Sequence, residues 1–220
     1  SLGEYSALVC SNSLNFSDAI YLLQQRGIAM QEAVPIGKGS MVAILGSNIN
    51  SINNLLNSLE DDGVCEIAND NAEGQVIVSG DTETINSFQS NLKKEKIKTI
   101  PLKVSAPFHC SLMKPAADKM EEKINQTNFL EPKIDIISNV TTKPEKDPAT
   151  IKKLLISQIF STVRWRESII NISKMGVGNF IEIGPGKALT GMVKRTIKNV
   201  NCFSINSIAD IKILKNELKR

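Results

Sequence analysis

Few residues in this chain are equipped for chemistry, and two of them suggest a nucleophile and its base. The sequence reads Ser1-Leu2-Gly3 at its start, the second half of a G-x-S-x-G elbow. In that elbow a serine sits exposed on a sharp strand-to-helix turn, and the strand and first glycine lie upstream of it. A serine hydroxyl attacks poorly near neutral pH unless a base takes its proton. The chain has one histidine, His109, in the stretch SAPFHCSLMKPAADKM between a predicted strand and a predicted helix. It reads either as a satisfied loop histidine or as the general base that Ser1 requires.

Arg26 is the third unusual residue. On a helix predicted over 18–32, Ala19, Leu22, Leu23, Arg26 and Met30 follow the spacing of a buried stripe. A buried guanidinium needs a partner, because an unpaired buried charge is costly. Two partners are open: a structural salt bridge, or a substrate carboxylate that the planar fork would grip bidentately; a side chain that snorkels outward to water would need neither. IEIGPGK at 181–187 reads as a tight turn or as a helix N-terminus able to hold phosphate. Lys93, Lys94, Lys96 and Lys98 form one basic cluster, and Lys187, Lys194, Arg195 and Lys198 a second. They are solvated faces or, at the second cluster, a docking place for an acidic partner.

The elements that must position these residues alternate. Helices are predicted at 2–9 and 18–32, then a strand at 40–46, a helix at 48–62, strands at 64–70 and 75–80, a helix at 82–96 and a strand at 97–104. The β-α-β-β-α-β order over 40–104 is the split, ferredoxin-like pattern, here bounded by Pro35 and Pro107. After it come a helix at 112–126, a strand at 133–140, a loop at 141–148, helices at 149–160 and near 165–175, a strand at 179–184, a helix after GPGK, the strand VNCFSIN and a closing helix at 207–219. The expected fold class is α/β: a mostly parallel sheet covered by helices, with an inserted α+β subdomain. The expected division is a large body of 1–36 and 105–220 around a small subdomain of 37–104.

Composition sets the class. The 220 residues can bury a sizeable core, 41% are hydrophobic and 22% charged, and the net charge is +3. That charge is too small to argue for nucleic acid. No apolar run reaches the ~18–20 residues of a membrane span. Cys10, Cys65, Cys110 and Cys202 are widely spaced with no C-x-x-C pair, so no metal site is expected, and reduced thiols fit a cytoplasmic protein.

Taken together, SLGEYSALV, QRGIAMQEAVPIGKGSMVAILG, NAEGQVIVSG, SAPFHCSLMKPAADKM and IEIGPGKALTGMVKR resemble the bacterial malonyl-CoA:acyl carrier protein transacylases of type II fatty acid synthesis. The resemblance runs over the whole sequence and implies an acyltransferase body resembling the α/β hydrolases. It implies ping-pong malonyl transfer through a malonyl-serine, with no cofactor. The family's nucleophile falls on Ser1, its histidine on His109, and its carboxylate-binding arginine on Arg26. A glutamine whose backbone carbonyl orients the histidine falls on Gln158, in LISQIFSTVRW. The Leu2 N–H is the expected oxyanion donor. Phe108 resembles the bulky neighbour of the base in malonyl-selective members, though one methyl is worth only about 1–3 kcal/mol. The implied partners are malonyl-CoA and acyl carrier protein, for a monomer.

The family's chain is longer at its N-terminus, where it carries the strand into the elbow, the preceding Gly-His and a second oxyanion donor. The expectation is therefore that residues 1–220 are a fragment, weakly active and prone to aggregate. Three rivals stand beside this reading. One is an inactive module that only binds carrier protein, and another is an acyltransferase serving a polyketide synthase. The third is an N-terminal-nucleophile hydrolase, whose free amine would serve as base and make His109 dispensable.

Overall fold

The computed structural model describes residues 1–217. Helix α1 (Leu2–Cys10) starts directly after Ser1 and buries Glu4, Tyr5 and Leu8. Helix α2 (Phe16–Glu32) is capped by the Asn15 side chain, which accepts from the Ser17 N–H, and it buries Ala19, Leu22, Arg26, Ala29 and Met30. Leu23, expected on the same stripe, is half-buried and packs at the edge of the core.

The chain then forms β1 (Gly39–Leu45), α3 (Ile49–Asn57), β2 (Cys65–Ala72), β3 (Gln75–Asp81), α4 (Thr82–Lys94) and β4 (Lys98–Pro101). The four strands make one antiparallel sheet in the order β2-β3-β1-β4. This is the split arrangement, with β1 and β3 central. Two expected elements are shorter. The helix expected over 48–62 stops at Asn57, and the segment after it folds into an Asp61 turn. The Asp61 carboxylate accepts from the Gly63 N–H at 2.9 Å and from Thr84 Oγ1 at 3.1 Å, a local bonding pattern that competes with helix. The strand expected over 97–104 ends at Pro101, which has no N–H to continue a ladder.

Beyond it lie α5 (Lys114–Gln126), β5 (Ile136–Ile137), β6 (Pro144–Glu145), α6 (Pro148–Gln158), α7 (Trp165–Lys174), β7 (Asn179–Ile183), α8 (Ala188–Thr196), β8 (Asn201–Ile205) and α9 (Ile208–Glu217). The strand expected at 133–140 contracts to the β5 pair, which bonds to β6 inside the expected loop. Strands β7 and β8 pair in parallel, the parallel ladder among the described residues. Residues 218 and 219 of the expected closing helix lie outside the described residues.

Two apolar clusters hold the molecule. One joins α1, α2, α5 and α6 around Tyr5, Leu8, Leu22, Met113, Met120 and Leu155. The other fills the space between the antiparallel sheet and α3 and α4, around Ile44, Ile52, Val78, Ile85 and Phe88. Polar bonds tie the sheet to the body. Asp70, 1% exposed, accepts from Arg166 Nε at 3.0 Å on both oxygens, and its N–H donates to the Val163 carbonyl. Glu66 accepts from the Ser111 N–H and hydroxyl.

Candidate active site

Three elements and one loop bring the predicted residues together. Ser1 is the N-cap of α1 and makes no side-chain capping bond, so its hydroxyl is free for other partners. The loop from β4 to α5 carries Phe108 and His109. It leans on β1 so closely that a Cβ on Gly39 would lie 2.3 Å from the Pro107 ring. Glycine is needed there because the rigid ring cannot yield. His109 itself has φ 60, a left-handed conformation that costs energy in a non-glycine residue and is enriched in histidine. Arg26 comes from the middle of α2. Gln158 is the last residue of α6, fully buried.

His109 Nδ1 lies 2.9 Å from the Gln158 carbonyl oxygen, and Nε2 lies 3.1 Å from Ser1 Oγ. A carbonyl only accepts, so Nδ1 carries the proton and Nε2 presents its lone pair to the serine hydroxyl. Among the described residues no carboxylate bonds to the His109 ring; the Gln158 backbone carbonyl sets the tautomer instead. Arg26 Nη2 donates to Ser1 Oγ at 3.2 Å and to Gln158 Oε1 at 3.1 Å. Its guanidinium lies 6.0 Å from the centroid of the Tyr5 ring, the outer reach of a cation–π contact.

The first of the two partners open to Arg26 is absent. Arg26 is only 8% exposed, yet no carboxylate lies within ion-pair distance of it among the described residues. Its Nε is buried without a hydrogen-bond partner among the described residues. Burial pulls its pKa below the usual guanidinium value. The group faces a cavity of about 530 Å³ whose lining includes Ser1, Met30, Asn69, Phe108 and His109. A buried cation that lines a cavity and has no carboxylate partner is a ready receptor for an anionic group on a ligand.

Burial, and after it the Arg26 charge, push the His109 imidazole down from its ordinary 6.5 to about 3. The ring is therefore neutral and able to accept a proton over the whole neutral range. The sign for stability follows. Between about pH 3 and pH 6.5 the unfolded chain binds a proton at His109 that the folded chain refuses, so this group favours folding more as pH rises. Its contribution is complete above pH 6.5 and is lost as pH falls below it. Urea midpoints measured between pH 7 and pH 5, above most carboxylate titrations, should fall with pH in the wild type. In His109→Asn, whose amide does not titrate, that part of the slope should vanish.

Residue reading missed Glu4 and Asn139. Glu4, 7% exposed, accepts from Gln158 Nε2 at 2.7 Å and from the Asn139 backbone N–H at 3.1 Å. The available signal was its i, i+4 relation to Leu8 on the buried face of α1, the same kind of sign that singled out Arg26. IEIGPGK forms β7 and the turn into α8. In that turn the Gly186 N–H donates to Asn206 Oδ1 at 2.6 Å, and the Leu189 and Thr190 N–H groups donate to Glu182. A carboxylate already occupies that helix start, so the phosphate alternative loses its donors.

Known proteins share this arrangement of elements. The acyl transferase domain family matches residues 1–215. The malonyl CoA-acyl carrier protein transacylase of Bacillus subtilis (strain 168) is 40% identical over 222 aligned residues, covering 100% of this chain and 70% of its own length. The solved structure of the malonyl CoA-acyl carrier protein transacylase from Coxiella burnetii superposes with a TM-score of 0.96 at 35% identity, over 99% of this chain and 69% of that one. A malonyl-transacylase solved in complex with its type II polyketide acyl-carrier protein superposes with a TM-score of 0.93 at 38% identity, over 97% and 70% of the two chains.

Proposed function

The chain belongs to the malonyl-CoA:acyl carrier protein transacylases of the acyl transferase family, and from that premise we propose that Ser1 carries the malonyl group between two thiols. The reaction moves malonyl from malonyl-CoA to the phosphopantetheine thiol of acyl carrier protein and supplies malonyl units for fatty acid synthesis. The observation that carries the residue assignment is the chain of contacts Gln158 carbonyl, His109, Ser1 Oγ, with Arg26 on the same hydroxyl.

His109 Nε2 takes the Ser1 proton as Oγ attacks the thioester carbon. The oxyanion is held by the Leu2 N–H, one of the first-turn donors of α1 that have no intrahelical acceptor. Collapse breaks the C–S bond, and the imidazolium returns the proton to coenzyme A as it leaves. In the second half His109 takes the proton of the carrier thiol, which attacks malonyl-Ser1, and the proton ends on Ser1 Oγ. Arg26 holds the free carboxylate throughout. When it does so its charge is compensated, which relieves part of the pressure on the His109 pKa and makes the base stronger once the substrate is seated. Phe108, half-buried against the body core beside the cavity, limits room for a substituent on the acyl α-carbon.

A body of 1–36 and 105–220 around a small unit of 37–104 is part of this reading, supported by the two separate apolar clusters. So are a monomeric state and a cytoplasmic location, in keeping with four cysteines that remain free thiols.

Intact-protein mass after brief incubation with malonyl-CoA tests the reading. One malonyl adduct is expected, absent in Ser1→Ala and discharged by added holo acyl carrier protein. An adduct that persists in Ser1→Ala would refute the assignment of the nucleophile. No adduct, together with salt-sensitive carrier binding, would favour the binding module.

A further inference from the structure

We propose that Glu4 is a positioning residue: it locks the side-chain amide of Gln158 so that this amide aims Arg26 at the acyl carboxylate. The inference rests on the reading of Arg26 as the carboxylate clamp.

The argument starts from what each group can do. A carboxylate only accepts hydrogen bonds and a guanidinium only donates them. The Gln158 side chain lies between one of each. Its Nε2 donates to Glu4 Oε2 at 2.7 Å and to the Ser1 carbonyl at 3.3 Å, and its Oε1 accepts from Arg26 Nη2 at 3.1 Å. Both amide hydrogens and the amide oxygen are therefore used. The flipped amide would set NH₂ against the guanidinium and C=O against the carboxylate, two repulsive contacts in a water-poor site. Glu4 is held as firmly as it holds. Its Oε2 also accepts from the Asn139 backbone N–H at 3.1 Å and from the Asn139 side-chain amide. Orientation thus passes from β5's end to Glu4, from Glu4 to Gln158, and from Gln158 to Arg26.

The amide also works as a spacer. Had Glu4 paired directly with Arg26, the guanidinium would be saturated by an internal carboxylate and closed to an external one. With Gln158 interposed, the negative charge stays near enough to favour the charged guanidinium, while Nε remains unpartnered among the described residues. The same residue gives its backbone carbonyl to His109. Gln158 therefore links the base and the clamp, and Glu4 controls only the clamp half.

That division is testable with two acyl donors. Malonyl-CoA needs the clamp and acetyl-CoA, which lacks the carboxylate, does not. Single-turnover acylation of Ser1 is read by intact mass with each donor in the wild type, Glu4→Ala, Glu4→Gln and Gln158→Met. Losing one charge-assisted hydrogen bond should cut the malonyl-to-acetyl rate ratio about tenfold in Glu4→Ala. Glu4→Gln keeps an acceptor oxygen facing Gln158 and should hold the ratio within about twofold, since hydrogen-bond orientation and not charge is what it preserves. Gln158→Met keeps the backbone carbonyl on His109 and should reproduce the drop even if Glu4→Ala fails to fold. The double variant should fall no further than Gln158→Met, the signature of residues acting in series. Equal slowing with both donors, an unchanged ratio, or a drop in Glu4→Gln matching that of Glu4→Ala would overturn the proposal while leaving the clamp intact. A wild type that discriminates no better than Arg26→Ala would instead remove the clamp reading, and this inference with it.

Discussion

His109→Ala is expected to slow malonylation of Ser1 by about 10³-fold, the middle of the range a positioned general base supplies. The reason is geometric before it is electrostatic. Nε2 sits 3.1 Å from Ser1 Oγ with its lone pair free, because Nδ1 is committed to the Gln158 carbonyl. With a low pKa the ring is a ready acceptor but a weak base, so its value lies in position. Arg26, the other side chain on Ser1 Oγ, is a donor and cannot replace it. Stopped-flow or quenched acylation read by mass provides the measurement. Rates that survive the substitution would point to a different base, and a free α-amine acting on its own hydroxyl would then be the rival to examine. The free-enzyme pH profile gives a second readout. Its acid limb should lie well below 6.5, because burial and Arg26 hold the imidazole neutral.

Arg26→Ala is expected to change which donor is used more than how fast the chemistry runs. Truncating one partner of a buried, hydrogen-bonded charge pair costs about 2–5 kcal/mol. At ~1.4 kcal/mol per factor of ten, malonyl-CoA acylation should fall by about 30-fold to 4,000-fold, mostly in KM for the donor. Acetyl-CoA acylation should fall far less, since no carboxylate is lost. Arg26→Lys should recover only part of the malonyl rate, because a point charge cannot replace the fork. There is a coupled effect on the base. Removing the guanidinium takes away one of the charges that lower the His109 pKa, so the acid limb of the variant should move up toward 6.5. Equal loss with both donors would mean that Arg26 serves the Ser1 hydroxyl it touches and not a substrate carboxylate.

Much of this was legible in the residues. Ser1-Leu2-Gly3 and the single histidine pointed to two side chains that the structure brings within 3.1 Å of each other, and helical periodicity singled out Arg26 as a charge in an apolar stripe. Those signals are local, and local rules decided them: a turn residue, a spacing of three and four, a strand run. The split β-α-β-β-α-β order was readable for the same reason, with errors at places where short-range polar bonding outcompeted periodicity, as at Asp61 and Pro101. Gln158 had no local signature. A glutamine ending a helix is unremarkable in sequence, and only family resemblance picked it out. Glu4 was passed over although it stands three residues after Ser1.

What the tertiary structure alone decided is which polar groups meet. Ser1 reaches Arg26 across 25 positions, His109 across 108 and the Gln158 amide across 157. The sequence placed Arg26 on an apolar stripe, and the structure shows it buried and so in need of a partner. The sequence left open whether that partner was internal. Packing of α1 against α2, with α6 ending between them and the β4–α5 loop, put an amide where a carboxylate would have closed the pair. Burial and identity of each group follow from the chain's own pattern. The pairing of donors with acceptors depends on the final approach of elements distant in sequence.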